Sequence, residues 1–137
     1  MRVLACGAAP RRATGEPGWT DPVPIRTMLE HLYARGYRTL IHGAAPGADR
    51  MAGEIGGLIG YWVLDFPADW RQHGKAAGPI RNRQMLREGQ PDLVIAFHDD
   101  LSASKGTRDM VRIARKAGIP VLVYSHSTSW TTYGGSS

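Results

Sequence analysis

Five short apolar runs punctuate the chain, at 2–7, 39–42, 61–66, 93–97 and 119–124. Each is ended or bordered by glycine, proline or a polar residue. Continuous apolar runs of that length read as strands buried on both faces of a sheet. Between them, apolar residues recur at helical spacing. Asp21 and Pro22 offer a cap followed by proline in the first turn, and Ile25, Met28, Leu29, Leu32 and Tyr33 then form one stripe. A second helix is expected from Ala48 to Ile59, with Gly53, Gly56 and Gly57 calling for close packing on a sheet. A third is expected over 79–89, around Ile80, Met85 and Leu86. A fourth opens at Gly106-Thr107 and carries Met110, Val111, Ile113 and Ala114. The stretch 8–21, with Pro10, Gly15, Pro17 and Gly18, has no period and reads as a loop, either a lid or a mobile connection.

Strands alternating with helices predict a three-layer α/β sandwich with a five-stranded parallel sheet in the order 3-2-1-4-5. Residues 1–125 form the domain, and the Ser/Thr/Gly-rich segment 126–137 reads as a flexible tail. Ligands in such sheets sit beyond the carboxyl ends of the strands where the strand order reverses, here between the first and fourth strands. That geometry puts Gly7, the turn 43–49 and residues 103–107 along one rim.

The turn after the second strand reads His42-Gly-Ala-Ala-Pro-Gly-Ala-Asp49. A helix start leaves backbone N–H groups without intrahelical partners and carries partial positive charge, so an anion suits it. Gly43, Ala44, Gly47 and Ala48 are the expected donors there, with Lys105, Gly106 and Thr107 at the other rim. The same small-residue turn also serves as a plain connection where a helix packs close to a sheet. Arg81 is the expected fixed positive charge, because a guanidinium grips two phosphate oxygens at once. Asn82 and Lys75 stand behind it. Asp49 has two readings, as acceptor for ribose hydroxyls or as electrostatic support for its helix. Arg11 and Arg12 could reach a phosphate but favour a solvated role, and Trp70 could stack on a base but favours a hydrophobic plug under its loop.

The chain has 137 residues, 42% hydrophobic and 21% charged, with a formal net charge of +5. That favours anionic partners without choosing among nucleotide, nucleic acid and acidic protein. Its one cysteine, Cys6, lies inside an apolar run and reads as a buried strand residue. A cytoplasmic protein is expected, with no membrane partner and no cofactor. The five histidines fall in separate segments, so no metal site is assigned; His98 with Asp99 and Asp100 would need another segment to approach.

The series Ile41 to Arg50, Phe66-Pro-Ala-Asp-Trp70, Gly74 to Met85, Asp92 to Phe97 and Gly106-Thr-Arg-Asp-Met-Val111 resembles proteins with a YspA-type, YpsA-related SLOG domain, found in bacteria and their phages. The resemblance runs from Arg2 to Tyr124 and implies a Rossmann-like nucleotide-binding fold. The wider superfamily includes the phosphoribohydrolases called LOG proteins and the DNA-processing protein DprA. In the hydrolases an R-K-x-x-M helix and a P-G-G-x-G-T-x-x-E loop act on the glycosidic bond. Arg81 with Met85 is similar to the first motif, and Gly106-Thr107 to the second. Ser104 replaces a glycine, however, and the glutamate position falls on Met110.

The resemblance therefore implies binding of a nucleotide or nucleotide-derived ligand ahead of catalysis, as a sensor or sequestering module in phage, defence or signalling settings. Cleavage of a nucleoside 5′-monophosphate, with Asp99, Asp100 or Asp109 in place of the missing glutamate, is the first alternative. DprA-like nucleic-acid binding is the second. A homodimer through the glycine-rich second helix is expected.

Overall fold

The computed structural model describes residues 1–133. One six-stranded sheet has the order β3-β2-β1-β4-β5-β6. Its strands are β1 (Arg2–Gly7), β2 (Thr39–His42), β3 (Trp62–Asp65), β4 (Leu93–Phe97), β5 (Val121–Ser125) and β6 (Ser129–Tyr133). The first five run parallel in the expected order. The helices are α1 (Pro22–Ala34), α2 (Ala48–Ile59), α3 (Trp70–His73), α4 (Ala77–Gln84) and α5 (Lys105–Lys116).

Period-two alternation in the central strands divides the core. Val3 and Ala5 of β1 and Leu93, Ile95 and Phe97 of β4 face the layer holding α1 and α2. Leu4 and Cys6, with Val94 and Ala96, face Met85, Met110, Val111 and Ala114 on the other side. Central strands are covered on both faces because right-handed crossovers place helices above and below a parallel sheet. Each fully buried Leu, Ile or Phe contributes about 1.5–3 kcal/mol.

Asp21 caps α1, accepting from the Val23 N–H at 3.0 Å, with proline in the first turn as the sequence indicates. The third helix begins at Ala77 rather than Pro79, and its last turn, Met85–Gly89, widens to π geometry. α5 begins one residue early because Ser104 caps it, accepting from the Thr107 N–H at 3.1 Å.

One expectation is corrected. The segment from Ser129 to Tyr133 is a strand antiparallel to β5, not loose tail. Trp130 packs edge-on against Phe97 and Tyr124, so aromatic burial orders a chain that reads as polar. The remaining tail, 134–137, lies outside the described residues. The 8–21 loop also has an ordered base. Trp19 is buried, packs on Phe97 and stacks on His126 with ring centroids 4.7 Å apart, while its backbone N–H donates to the Ala8 carbonyl and its indole N–H to the Asp21 carbonyl. Only the hairpin from Arg11 to Glu16 projects.

Candidate functional site

Between the carboxyl ends of β1 and β4, where the strand order reverses, lies a cavity of about 350 Å³. Cys6 and Gly7 close β1 at its floor, beside Met85 and Met110. Ala45 and Asp49 come from the turn and first residues of α2, Arg81 and Asn82 from α4, and Ala103 to Thr107 from the entry to α5. His98 follows β4, and Ala9, Pro10 and Arg11 form the roof.

Seven of the expected site residues line this space: Gly7, Asp49, Arg81, Asn82, Lys105, Gly106 and Thr107. Gly43, Ala44, Gly47 and Ala48 do not line it, and their amides show why. Gly43 N–H donates to Asp49 Oδ2 at 3.1 Å, and Ala45 N–H reaches the same oxygen at 3.4 Å. Ala44 N–H donates to His42 Nδ1 at 3.0 Å, and Ala48 N–H to the Ala8 carbonyl at 3.2 Å. Buried backbone donors take partners wherever the fold offers them, and here the protein supplies its own. Gly47 is required for this close approach: at φ 93 a side chain would be strained, and an added Cβ would come within 3.3 Å of the Ala8 carbonyl carbon and the Ala9 Cα.

The turn thus presents a carboxylate to the cavity. Asp49 is 5% exposed, and both of its backbone bonds fall on Oδ2, which leaves Oδ1 for the cavity. Burial pushes its pKa up to about 6, against the opposing pull of Arg81 and the two amide bonds. Burial lowers the pKa of His42 beneath the turn, and its Nδ1 accepts from the Ala44 N–H.

Arg81 is fixed by the same turn. Its Nη1 donates to the Gly43 carbonyl and, at 3.4 Å, to the Phe66 carbonyl, while Nε donates to Asn82 Oδ1 at 3.1 Å. Nη2 remains as the guanidinium's contribution to the cavity. Gly43 separates the two charges: a Cβ there would meet Arg81 Cζ at 2.7 Å and Asp49 Oδ2 at 2.9 Å. Asn82 is buried and acts as a strut, donating to the Gly106 carbonyl at 3.2 Å and to Asp109 Oδ2 at 3.1 Å.

The opposite wall keeps its helix-start character. Ser104 satisfies the Thr107 N–H, and the Lys105 and Gly106 segment borders the cavity with a positive helix end and a lysine side chain. Arg11 is exposed, as expected of a solvated charge, and also borders the roof, with Glu16 at 3.6 Å from its guanidinium.

Other candidates lie elsewhere. Trp70 is 59% exposed and is no plug, and Lys75 is not among the lining residues. Asp109 is engaged by Asn82 and Arg112, Asp99 by His126, and Asp100 caps the turn at Ser102. None of the three lines the cavity. Among the described residues no group of His, Cys, Asp and Glu converges as a metal site. Ala45 lies on the expected rim, whereas His98, weighed in the sequence only as a metal ligand, escaped it as a residue of this cavity. The position of His98 one residue beyond β4, at the sheet's switch point, is the signal that could have found it. No helix is long and apolar enough to cross a membrane among the described residues.

Comparison with known proteins agrees with this architecture. A family model described as YAcAr: YspA, cpYpsA-related SLOG family, matches residues 1–73, which takes in β1, β2, the 43–50 turn and Asp49. Over 116 residues the chain is 39% identical to the Gene 61 protein of Mycobacterium phage D29, covering 80% of this chain and 90% of that one. No solved structure matches it. The chain belongs to the YspA, cpYpsA-related SLOG family.

Proposed function

We propose that the chain binds a mononucleotide-sized, phosphate-bearing ligand in the cavity at the β1–β4 switch. The observation that carries this reading is the pairing, in one space, of a free Asp49 oxygen and a free Arg81 amino group with the start of α5. A nucleotide offers the matching set. Its phosphate suits the Lys105–Gly106 helix start and the cationic roof residue Arg11. Its ribose hydroxyls suit the Asp49 oxygen, which needs a donor. A volume of about 350 Å³ is near the low end of the roughly 300–1,000 Å³ common for small-molecule sites, which favours one nucleotide over two.

Calorimetric titration of the full chain with nucleoside mono- and diphosphates, cyclic nucleotides and ADP-ribose tests the reading, with inorganic phosphate as control. Binding that requires both ribose and phosphate supports it. Heat from none of them, with folded protein, overturns it.

A second reading is supported by Asp49 alone. A cavity carboxylate with its pKa pushed up to about 6 is suited to general acid–base work near neutrality. Asp49, rather than Asp99, Asp100 or Asp109, would then activate water against the N-glycosidic bond of a nucleoside 5′-monophosphate, releasing free base and ribose 5-phosphate. Absence of free base after prolonged incubation with each common monophosphate eliminates this activity for those substrates.

A further inference from the structure

A second groove, of about 520 Å³, runs along the outer face of α5 and shares no lining residue with the first cavity. Four of its residues are cationic, Arg108, Arg112, Arg115 and Lys116, and among the described residues no carboxylate lines it. Arg108 is steadied by the Ser102 carbonyl at 3.0 Å. Of these four, Asp109 reaches Arg112, at 2.9 Å, and its other oxygen is held by Asn82 of α4 and lies 3.7 Å from Arg83. Arg115 lies over the Tyr133 ring, 5.2 Å from its centroid. Its Nε is buried and meets no hydrogen-bond partner among the described residues. Leaving a charged group's nitrogen dry and unpaired is costly. An arginine already stripped of part of its water gives up less on meeting an anion.

We propose that this groove binds the backbone of a single-stranded nucleic acid. The spacing of the charges selects a linear polyanion. Residues 108, 112 and 115–116 stand one helical turn apart, about 5–6 Å each along the axis, so they track successive anions rather than converge on one. The non-cationic wall selects among polyanions. Half-buried Tyr133 and Leu101, with Val111 beneath them, give bases an aromatic and apolar contact beside the charges, the combination that holds single strands without reading their sequence. An acidic peptide offers nothing planar to that wall. The inference is independent of the nucleotide site, because the two surfaces are separate.

The test is fluorescence anisotropy of a labelled oligothymidylate with the full chain across a salt series. Three to four phosphate contacts give log K against log salt a slope of about −2 to −3, at about −0.7 per phosphate for single strands. Because Arg115 also packs on Tyr133, the test variant is the double exchange Arg112→Glu with Lys116→Glu, both exposed positions. Its binding is expected to weaken by at least about tenfold, with a flatter salt slope, while circular dichroism and response to mononucleotides stay unchanged. No binding at low salt, undiminished binding by the folded double variant, or displacement by polyglutamate at equal charge concentration would each overturn the proposal.

Discussion

Asp49 and Arg81 look into one cavity from either side of the Gly43 α-carbon, and they do not join in an ion pair. Each is held by the backbone of the same turn instead: the carboxylate by the Gly43 and Ala45 amides, the guanidinium by the Gly43 carbonyl. A buried acid and a base kept apart in this way leave one oxygen and one amino group for a guest. Had they neutralised each other, the cavity would offer neither.

Gly43→Ala is expected to disrupt this arrangement. The new methyl would lie within 3 Å of both side chains, and overpacking of this kind costs about 1–3 kcal/mol. Denaturant unfolding reads the loss of stability, and titration calorimetry with whichever nucleotide binds the parent chain should show binding gone.

Asp49 makes stability depend on pH in a definite direction. Its folded pKa of about 6 lies above the ordinary carboxylate value of 3.8, so between these values the native state holds the extra proton. Its contribution is fully present below about pH 4 and lost as pH rises through about 6, a change of order 3 kcal/mol at about 1.36 kcal/mol per unit. Asp49→Asn removes that dependence. The variant should be more stable than the parent at pH 8 and bind nucleotide less well. Chemical denaturation at pH 5 and pH 8 checks the first, and calorimetry the second.

His126 clasps three segments. Its Nε2 meets Asp21 Oδ2 at 2.9 Å, and its Nδ1 meets Asp99 at 3.0 Å, with Trp19 stacked on the ring. The two carboxylates raise the imidazole pKa, and in return those of Asp21 and Asp99 are lowered, chiefly by bonding to His126. The histidine's contribution is present below its ordinary value and lost as pH rises through the raised one. The carboxylates' contributions are present above their ordinary value and lost as pH falls through the lowered ones. Trp19 fluorescence and melting temperature should therefore change on the alkaline side of the usual histidine range. His126→Phe, which keeps the stack, should abolish that step.

Asn82→Ala takes away the strut between α4 and α5. The Gly106 carbonyl and Arg81 Nε lose their partner, for an expected cost of about 1–3 kcal/mol. Nucleotide affinity should fall as well, because Arg81 is no longer aimed. A fall in stability with unchanged affinity would show that Asn82 only ties the helices together.

Much of the site was legible before folding. Arg81, Asn82, Lys105, Gly106 and Thr107 reach the cavity because the sheet's strand order dictates which loops meet, and that order follows from alternating apolar runs. Arg11 is solvated as the sequence suggests, but nothing local distinguishes an arginine that is only solvated from one that also borders a cavity. The Arg11 to Glu16 hairpin and the anchoring of Trp19 make that difference.

The sequence by itself determined the parallel strands, their order and the bounds of α2 and β4, since apolar periodicity is a property of neighbouring residues. Tertiary structure decided which groups of the 43–49 turn face the cavity. The helix-start amides expected to hold an anion are taken up by Asp49, by His42 and by the Ala8 carbonyl of another loop, and a carboxylate oxygen is presented in their place. It also decided that Ser129 to Tyr133 is a strand, held by aromatic contacts to Phe97 and Tyr124. Hydrogen-bond satisfaction and aromatic packing are settled between segments distant along the chain, and no local pattern of residues encodes them.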